Sequence, residues 1–164
     1  MRVFKNKKFL AIILIGLAIA GYWGWNYYQN SHYLKIGEWG VTLPLTPAIH
    51  GATYHLNGEG NVAFLSTTTL DNSVACQAYY HKQQGASFYY PAYQFITRLA
   101  PNDPTIPTDG SLGILAKDAV AKYPDIYRQV GNSIYQYAKG RGVPCPQQPS
   151  AVEPAYYTAF KAMH

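Results

Sequence analysis

A long apolar segment near the N-terminus constrains the fold of this chain more than any other feature. Residues 9–25 read FLAIILIGLAIAGYWGW, and no Asp, Glu, Lys or Arg occurs between Lys8 and Lys35. A helix that crosses the hydrocarbon core of a bilayer needs roughly 20 mostly apolar residues, and residues 9–28 supply that length. The segment therefore predicts one membrane-spanning helix.

The residues that flank this segment predict its orientation. Aromatic rings favour the headgroup layer, and four of them lie where the helix would leave the bilayer: Trp23, Trp25, Tyr27 and Tyr28. Positively charged flanks stay in the cytoplasm, and four basic residues precede the segment: Arg2, Lys5, Lys7 and Lys8. We expect a cytoplasmic basic tip at 1–8, an anchor in the cell membrane at 9–28 and an extracytoplasmic domain at 29–164, beginning with a short polar stalk over 29–33.

Two other readings of the N-terminus stay open. A basic start, an apolar stretch and the small residues Ala18-Ile19-Ala20 are also the pattern of a cleaved secretory signal, in which case the protein is secreted after cleavage behind Ala20. Against cleavage, apolar and aromatic residues continue directly after Gly21. A pilin-like leader is a weaker reading, because no small residue precedes Phe9 and no glutamate follows early in the helix.

The charge distribution follows this topology. The chain has 13 basic and 8 acidic side chains and a formal net charge of +5. Four basic residues lie in the predicted tip and all the acids lie beyond the membrane, so the predicted domain is close to neutral. A basic excess can indicate a nucleic-acid partner, but here it sits mostly in the tip and no basic-aromatic repeat accompanies it. We predict no nucleic-acid partner.

Two cysteines, Cys76 and Cys145, lie in the predicted extracytoplasmic part, where oxidising conditions permit a disulfide. Closing a loop of about 70 residues would stabilise the fold by roughly 4 kcal/mol on the chain-entropy model. Two buried free thiols are the alternative. A metal site is less favoured, because the cysteines lack the close paired spacing of zinc ligands.

The rest of the chain reads as short strands separated by turns, followed by a helix. This pattern predicts an α+β fold: a small antiparallel β-rich domain with a C-terminal helix and one disulfide. Asn57-Gly58-Glu59-Gly60 is a hairpin signal, and Glu153-Pro154 predicts the start of the terminal helix. The predicted strands are 41–45, 52–56, 62–65, 76–81, 87–90, 93–98 and 133–138, with a short helix within 112–123.

Tyrosine is the compositional outlier, with 16 residues, several of them in doublets. Neighbouring side chains on a strand point to opposite faces, so a doublet places one ring outward. Exposed tyrosines favour recognition of sugars or protein surfaces, whereas an aromatic core with ordinary surface tyrosines is the plainer reading. The candidate binding rings are Tyr79, Tyr80, Tyr89 and Tyr90.

The segment Gly37-Glu38-Trp39-Gly40 interrupts an apolar pattern. Leu34 and Ile36 share one parity, whereas Trp39, Val41 and Leu43 share the other. Such a change of face requires a bulge or a tight turn, and the two glycines supply a permissive backbone. We expect Glu38 to be a buried carboxylate that secures this kink by accepting backbone N–H bonds or meeting a cation such as Arg98. A catalytic or ligand-binding carboxylate is the alternative.

The same segment carries a resemblance to a known group of proteins. Residues 33–41 read YLKIGEWGV, and Leu43-Pro44-Leu45 follows. This resembles the YLxIxEWGV segment of uncharacterised single-pass, extracytoplasmic proteins of candidate-phylum bacteria of the Saccharibacteria type, with Gly37 in place of a lysine. The outline is similar too, with a basic tip, an anchor, two cysteines and a closing helix. The resemblance implies a cell-envelope location, with no known activity or catalytic residues.

Residues with catalytic chemistry are sparse. His50, His55 and Glu59 are close in sequence, but the histidines are five residues apart and so fall on opposite faces of a strand. We nominate no catalytic residue, metal or cofactor. The sequence favours a membrane-anchored surface domain for binding, adhesion or envelope assembly, with a surface protein or glycan as partner. A cell-envelope hydrolase, or an accessory to one, is the alternative.

Overall fold

A long helix opens the part of the chain that the structure describes. The computed structural model describes residues 7–74, 94–105, 113–139 and 151–164. Helix α1, Lys7–His32, contains an apolar stretch, Leu10–Gln29, that is long enough to cross a membrane and that packs against no other part of the described chain. This N-terminal apolar helix is compatible with a membrane anchor or a signal sequence. Residues 29–32 of the predicted polar stalk form the last turn of α1.

The chain passes from α1 into a hairpin without an intervening residue. Strands β1, Tyr33–Ile36, and β2, Val41–Pro44, pair antiparallel. The backbone N–H of Leu45 donates to the carbonyl oxygen of His32 at 2.7 Å, so the end of β2 is tied to the end of α1.

An antiparallel sheet of five strands forms the centre of the described body, in the order β3-β4-β5-β9-β8. Two short strands, β6 and β7, pair beside it. The strand bounds are β3 Ala52–Leu56, β4 Val62–Thr67, β5 Gln94–Leu99, β6 Pro104–Thr105, β7 Ile114–Leu115, β8 Tyr127–Val130 and β9 Ser133–Lys139. Further helices within the described ranges are α2 Thr68–Asp71, α3 Ala116–Lys122 and α4 Val152–Lys161, with 3-10 turns at Gly37–Trp39 and Pro47–Ile49.

The sheet has an apolar layer on each face. On one face, Ala63, Ile96 and Tyr137 lie side by side on neighbouring strands and are buried under the hairpin and α4. On the other face, Ile134 packs against Ala119 of α3. A separate element therefore covers each face and excludes water from it. Burial of apolar surface in this way supplies most of the stability of such a sheet.

Helix α4 is held to the body from its middle and from its C-terminal end. The hydroxyl group of Tyr156 donates to the carbonyl oxygen of Ser66 on β4. Beyond the helix, the Arg128 side chain on β8 donates from Nε to the carbonyl oxygen of Met163 at 2.8 Å and from a terminal nitrogen to that of Lys161. The backbones of His164 and Thr42 exchange two hydrogen bonds, of 2.8 and 3.1 Å. The last described residues thus join β8 to the hairpin.

The α+β class, the antiparallel sheets and the C-terminal helix are confirmed by these elements. The predicted strand at 52–56 has the bounds of β3. The proposed disulfide between Cys76 and Cys145, the tyrosine doublets and the strands predicted at 76–81 and 87–90 lie outside the described residues.

Candidate functional site

Several turns meet at one end of the sheet. The β3–β4 turn, residues 57–61, lies beside the end of β5, because the Arg98 backbone N–H donates to the carbonyl oxygen of Asn61 at 2.7 Å. The Arg98 Nε donates to the hydroxyl oxygen of Ser133, which follows the β8–β9 turn at residues 131–132. We call these two turns, Arg98 and the β1–β2 turn at residues 37–40 the turn rim.

The β1–β2 turn explains the change of apolar face in the sequence. Ile36 faces Val41 and Leu34 faces Leu43, so each even-numbered apolar residue on β1 lies beside an odd-numbered one on β2. Paired residues in an antiparallel ladder point to the same face. The apolar face of the hairpin is therefore continuous, and the change in parity marks a four-residue chain reversal.

The two glycines of this turn have different roles. Gly40 has φ of +66°, in the left-handed region, and its N–H donates to the carbonyl oxygen of Gly37 at 3.2 Å. Gly37 is not among the glycines with positive φ. Since only a glycine adopts the left-handed conformation without steric cost, Gly40 is the position at which the reversal requires this residue type.

Trp39 joins the β1–β2 turn to the rest of the turn rim. Its side chain is 8% exposed, its ring centroid lies 5.6 Å from that of Tyr135, and its indole N–H donates to the carbonyl oxygen of Gly60 at 2.7 Å. The tryptophan of the motif therefore fastens the hairpin to the β3–β4 turn.

Glu38 points outward, so the expectation of a buried carboxylate is wrong. Its Oε2 accepts a hydrogen bond from the hydroxyl group of Tyr54 at 2.8 Å, and Arg98 contacts Ser133 instead. The pKa of Glu38 is lowered by a hydrogen bond with its own backbone and then by the Tyr54 hydroxyl group. The pKa of Tyr54 is raised by burial and then by the carboxylate. An outward side chain at a turn loses less hydration than an inward one, which favours this orientation.

A second polar cluster lies at the opposite end of the β3–β4 pair. Asp71, on α2, accepts hydrogen bonds of 2.6 Å from the hydroxyl groups of Thr53 and Ser66, and its Oδ2 lies 3.6 Å from Nε2 of His55. In a hydrolytic triad the imidazole lies between the serine and the carboxylate, whereas here the carboxylate occupies the middle. Ser66 is also fully buried. The cluster therefore fastens α2 to the sheet and does not present a nucleophile.

The remaining candidate residues fall partly outside the described ranges. Within the described ranges, no three His, Cys, Asp or Glu side chains come close enough to hold a metal ion. Tyr79, Tyr80, Tyr89 and Tyr90 lie outside the ranges that the structure describes. The cross-strand pairing of Thr53 with Ser66 brings both hydroxyl groups to Asp71. No local sequence pattern indicates this pairing.

Comparisons of the chain with protein-family models, with curated proteins and with solved structures found no match.

Proposed function

We propose that this protein is a single-pass, membrane-anchored, extracytoplasmic domain that binds a surface protein or glycan in adhesion or envelope assembly. The observation that carries the proposal is the direct connection between α1 and the hairpin. Helix α1 joins the open end of the hairpin, and the closed end belongs to the turn rim. Four residues of strand extend about 13 Å, so the turn rim is held away from the end of the anchor and faces outward.

The chemistry of the turn rim suits a polar partner. Glu38, Glu59, Arg98 and Asn132 are all exposed, so the surface offers charges of both signs and amide groups. Turns held on a rigid sheet are common recognition sites, and such groups can bind sugar hydroxyls or a polar protein surface through hydrogen bonds. The resemblance of the YLKIGEWGV segment supports the same cell-envelope location.

The proposal includes a disulfide between Cys76 and Cys145. Leu65, Gln94 and Lys139 lie in one row across the sheet, so β4 and β9 end at the same side. Cys145 follows Lys139 by six residues, a reach of roughly 20 Å. Two neighbouring strands span only about 10 Å, so chain length permits the bridge. Peptide mapping without reduction tests it: one Cys76–Cys145 peptide supports the bridge, and two alkylated thiols refute it.

Site-specific photo-crosslinking in intact cells tests the binding proposal. One chain carries the crosslinking residue in place of Glu59, at the turn rim. The matched control carries it in place of Thr69, an exposed residue on α2 at the other end of β4. A defined protein or glycan adduct from position 59 alone supports the proposal. Equal adducts from both positions, or none from either, refute it.

The anchor has its own test. N-terminal sequencing of the membrane-bound protein should give a sequence that starts before residue 9. Protease added outside intact cells should degrade the body. A mature chain that starts at Gly21 would show a cleaved signal and a secreted protein.

A further inference from the structure

We infer that the body rests directly on the bilayer, and that two ring pairs, Tyr28 with His32 and Tyr33 with His164, bind phospholipid headgroups. We call these four side chains the ring collar. This inference rests on the proposed membrane anchoring of α1, and it adds a second interaction surface with a partner different from that of the turn rim.

The length of α1 places its end in the headgroup layer. The apolar span ends at Gln29, and His32 follows three residues later, a rise of about 4.5 Å. The headgroup region is roughly 5–7 Å thick on each side of the hydrocarbon core. Because β1 starts at Tyr33, the folded body begins within this layer.

A backbone hydrogen bond joins the end of α1 to the hairpin, and a side-chain bond closes the last turn of the helix. The Leu45 N–H donates to the carbonyl oxygen of His32 at 2.7 Å, which adds a second connection beside the covalent one. The Ser31 hydroxyl group donates to the carbonyl oxygen of Tyr28 at 3.0 Å. The chain thus passes from the helix directly into the hydrogen-bonded hairpin and not into a loose segment.

The C-terminal part of the body reaches the same level. The ring of His164 lies edge-on to that of Tyr33, with centroids 6.4 Å apart, and its backbone pairs with that of Thr42. On the helix, Tyr28 and His32 stack with centroids 4.1 Å apart. One ring pair therefore lies on the last turns of α1, and the other lies on the body where β1 begins.

The chemistry of the ring collar matches phospholipid headgroups. Tyrosine and histidine combine an apolar ring with a polar tip, which suits the boundary between hydrocarbon and water. Phenol hydroxyl and imidazole N–H groups donate hydrogen bonds to phosphate and glycerol oxygens. No Asp or Glu occurs before Glu38 in the chain, and the exposed Lys35 on β1 adds a positive charge.

Paramagnetic broadening of histidine signals tests the inference on the full chain. The chain, with isotope-labelled histidine, is placed in nanodiscs of phosphatidylcholine and phosphatidylglycerol, with and without lipid that carries a nitroxide on its headgroup. Single His→Gln variants assign the signals. The imidazole signals of His32 and His164 should broaden several-fold more than that of His55 on β3. Equal broadening of His164 and His55 would overturn the inference.

A linker variant separates this result from the anchoring proposal. Insertion of Gly-Ser-Gly-Ser between His32 and Tyr33 should reduce the broadening of His164, because the rings of the body are then no longer fixed at the bilayer, and keep that of His32. Unchanged broadening of His164 would overturn the direct seating of the body. Failure of the chain to co-elute with nanodiscs would refute the anchor itself, whereas co-elution with an unaffected His164 would refute only the ring collar.

Discussion

The two glycines of the β1–β2 turn give a matched test of the proposed chain reversal. An alanine Cβ at Gly37 or at Gly40 would have no heavy atom within 4 Å apart from its chain neighbours, so neither substitution creates a clash with packed groups. The two positions differ in backbone conformation, since only Gly40 has positive φ. The left-handed region costs an L-residue roughly 1–2 kcal/mol.

The expected difference follows from this cost. Replacing glycine by alanine also reduces the freedom of the unfolded chain, but that effect is similar at both positions and cancels in the comparison. Gly40→Ala should therefore be less stable than Gly37→Ala by about 1–2 kcal/mol. Gly40→Asn should recover part of the loss, because asparagine tolerates the left-handed region better than alanine does.

Urea denaturation of the full chain in detergent micelles, followed by near-ultraviolet circular dichroism, measures the difference. With a slope of about 2 kcal/mol per molar urea, the two midpoints should differ by roughly 0.5–1 M. Free energies of unfolding within about 0.5 kcal/mol of each other, the range of neutral surface changes, would refute the assignment of the reversal to Gly40.

Other side chains give further tests by the same denaturation assay or by titration. Trp39→Phe should lower the free energy of unfolding by about 2 kcal/mol through lost apolar contact and the lost bond to Gly60. An unchanged free energy of unfolding would contradict the role of Trp39 in joining the hairpin to the β3–β4 turn. Arg128→Met should lower it by about 2–3 kcal/mol by removing a charged donor from two carbonyl groups, and Arg128→Lys should restore less than half, since an ammonium lacks the fork geometry. Glu38→Gln should lower the pKa of Tyr54, which stays above 10.0 because burial is the main cause. A pKa raised on folding adds stability that is lost as the pH rises from the unfolded value, about 10, to the folded pKa. The loss should therefore start at the same pH in the variant but be smaller and end at a lower pH. NMR titration of labelled tyrosine measures this pKa, and an unchanged pKa would contradict the contact.

Elements with a clear local pattern were predictable from the sequence. The apolar and β-branched residues of 52–56, bounded by turn residues, indicate β3, and Glu153-Pro154 indicates the start of α4 within one residue. Strand β8, Tyr127–Val130, has no such signal. Its Arg128 lies on the face that carries the core, where it serves the end of α4, so the usual apolar alternation is absent.

The candidate site was predictable in place but not in orientation. The parity of Leu34, Ile36 and Trp39 locates a change of face, because side chains alternate along a strand. It does not decide whether Glu38 or Trp39 points inward. That choice depends on Gly60 and Tyr135, which reach Trp39 only through the register of distant strands.

The attachment of the C-terminal helix has a consequence for the timing of folding. Tyr156 bonds to Ser66 across 90 positions of the chain, and His164 pairs with Thr42. A ribosome makes the N-terminal partners first, so one face of the sheet stays uncovered until α4 has been synthesised. Exposed apolar surface of this kind favours aggregation. The apolar face under α4 is therefore completed only when residues 152–164 have been delivered.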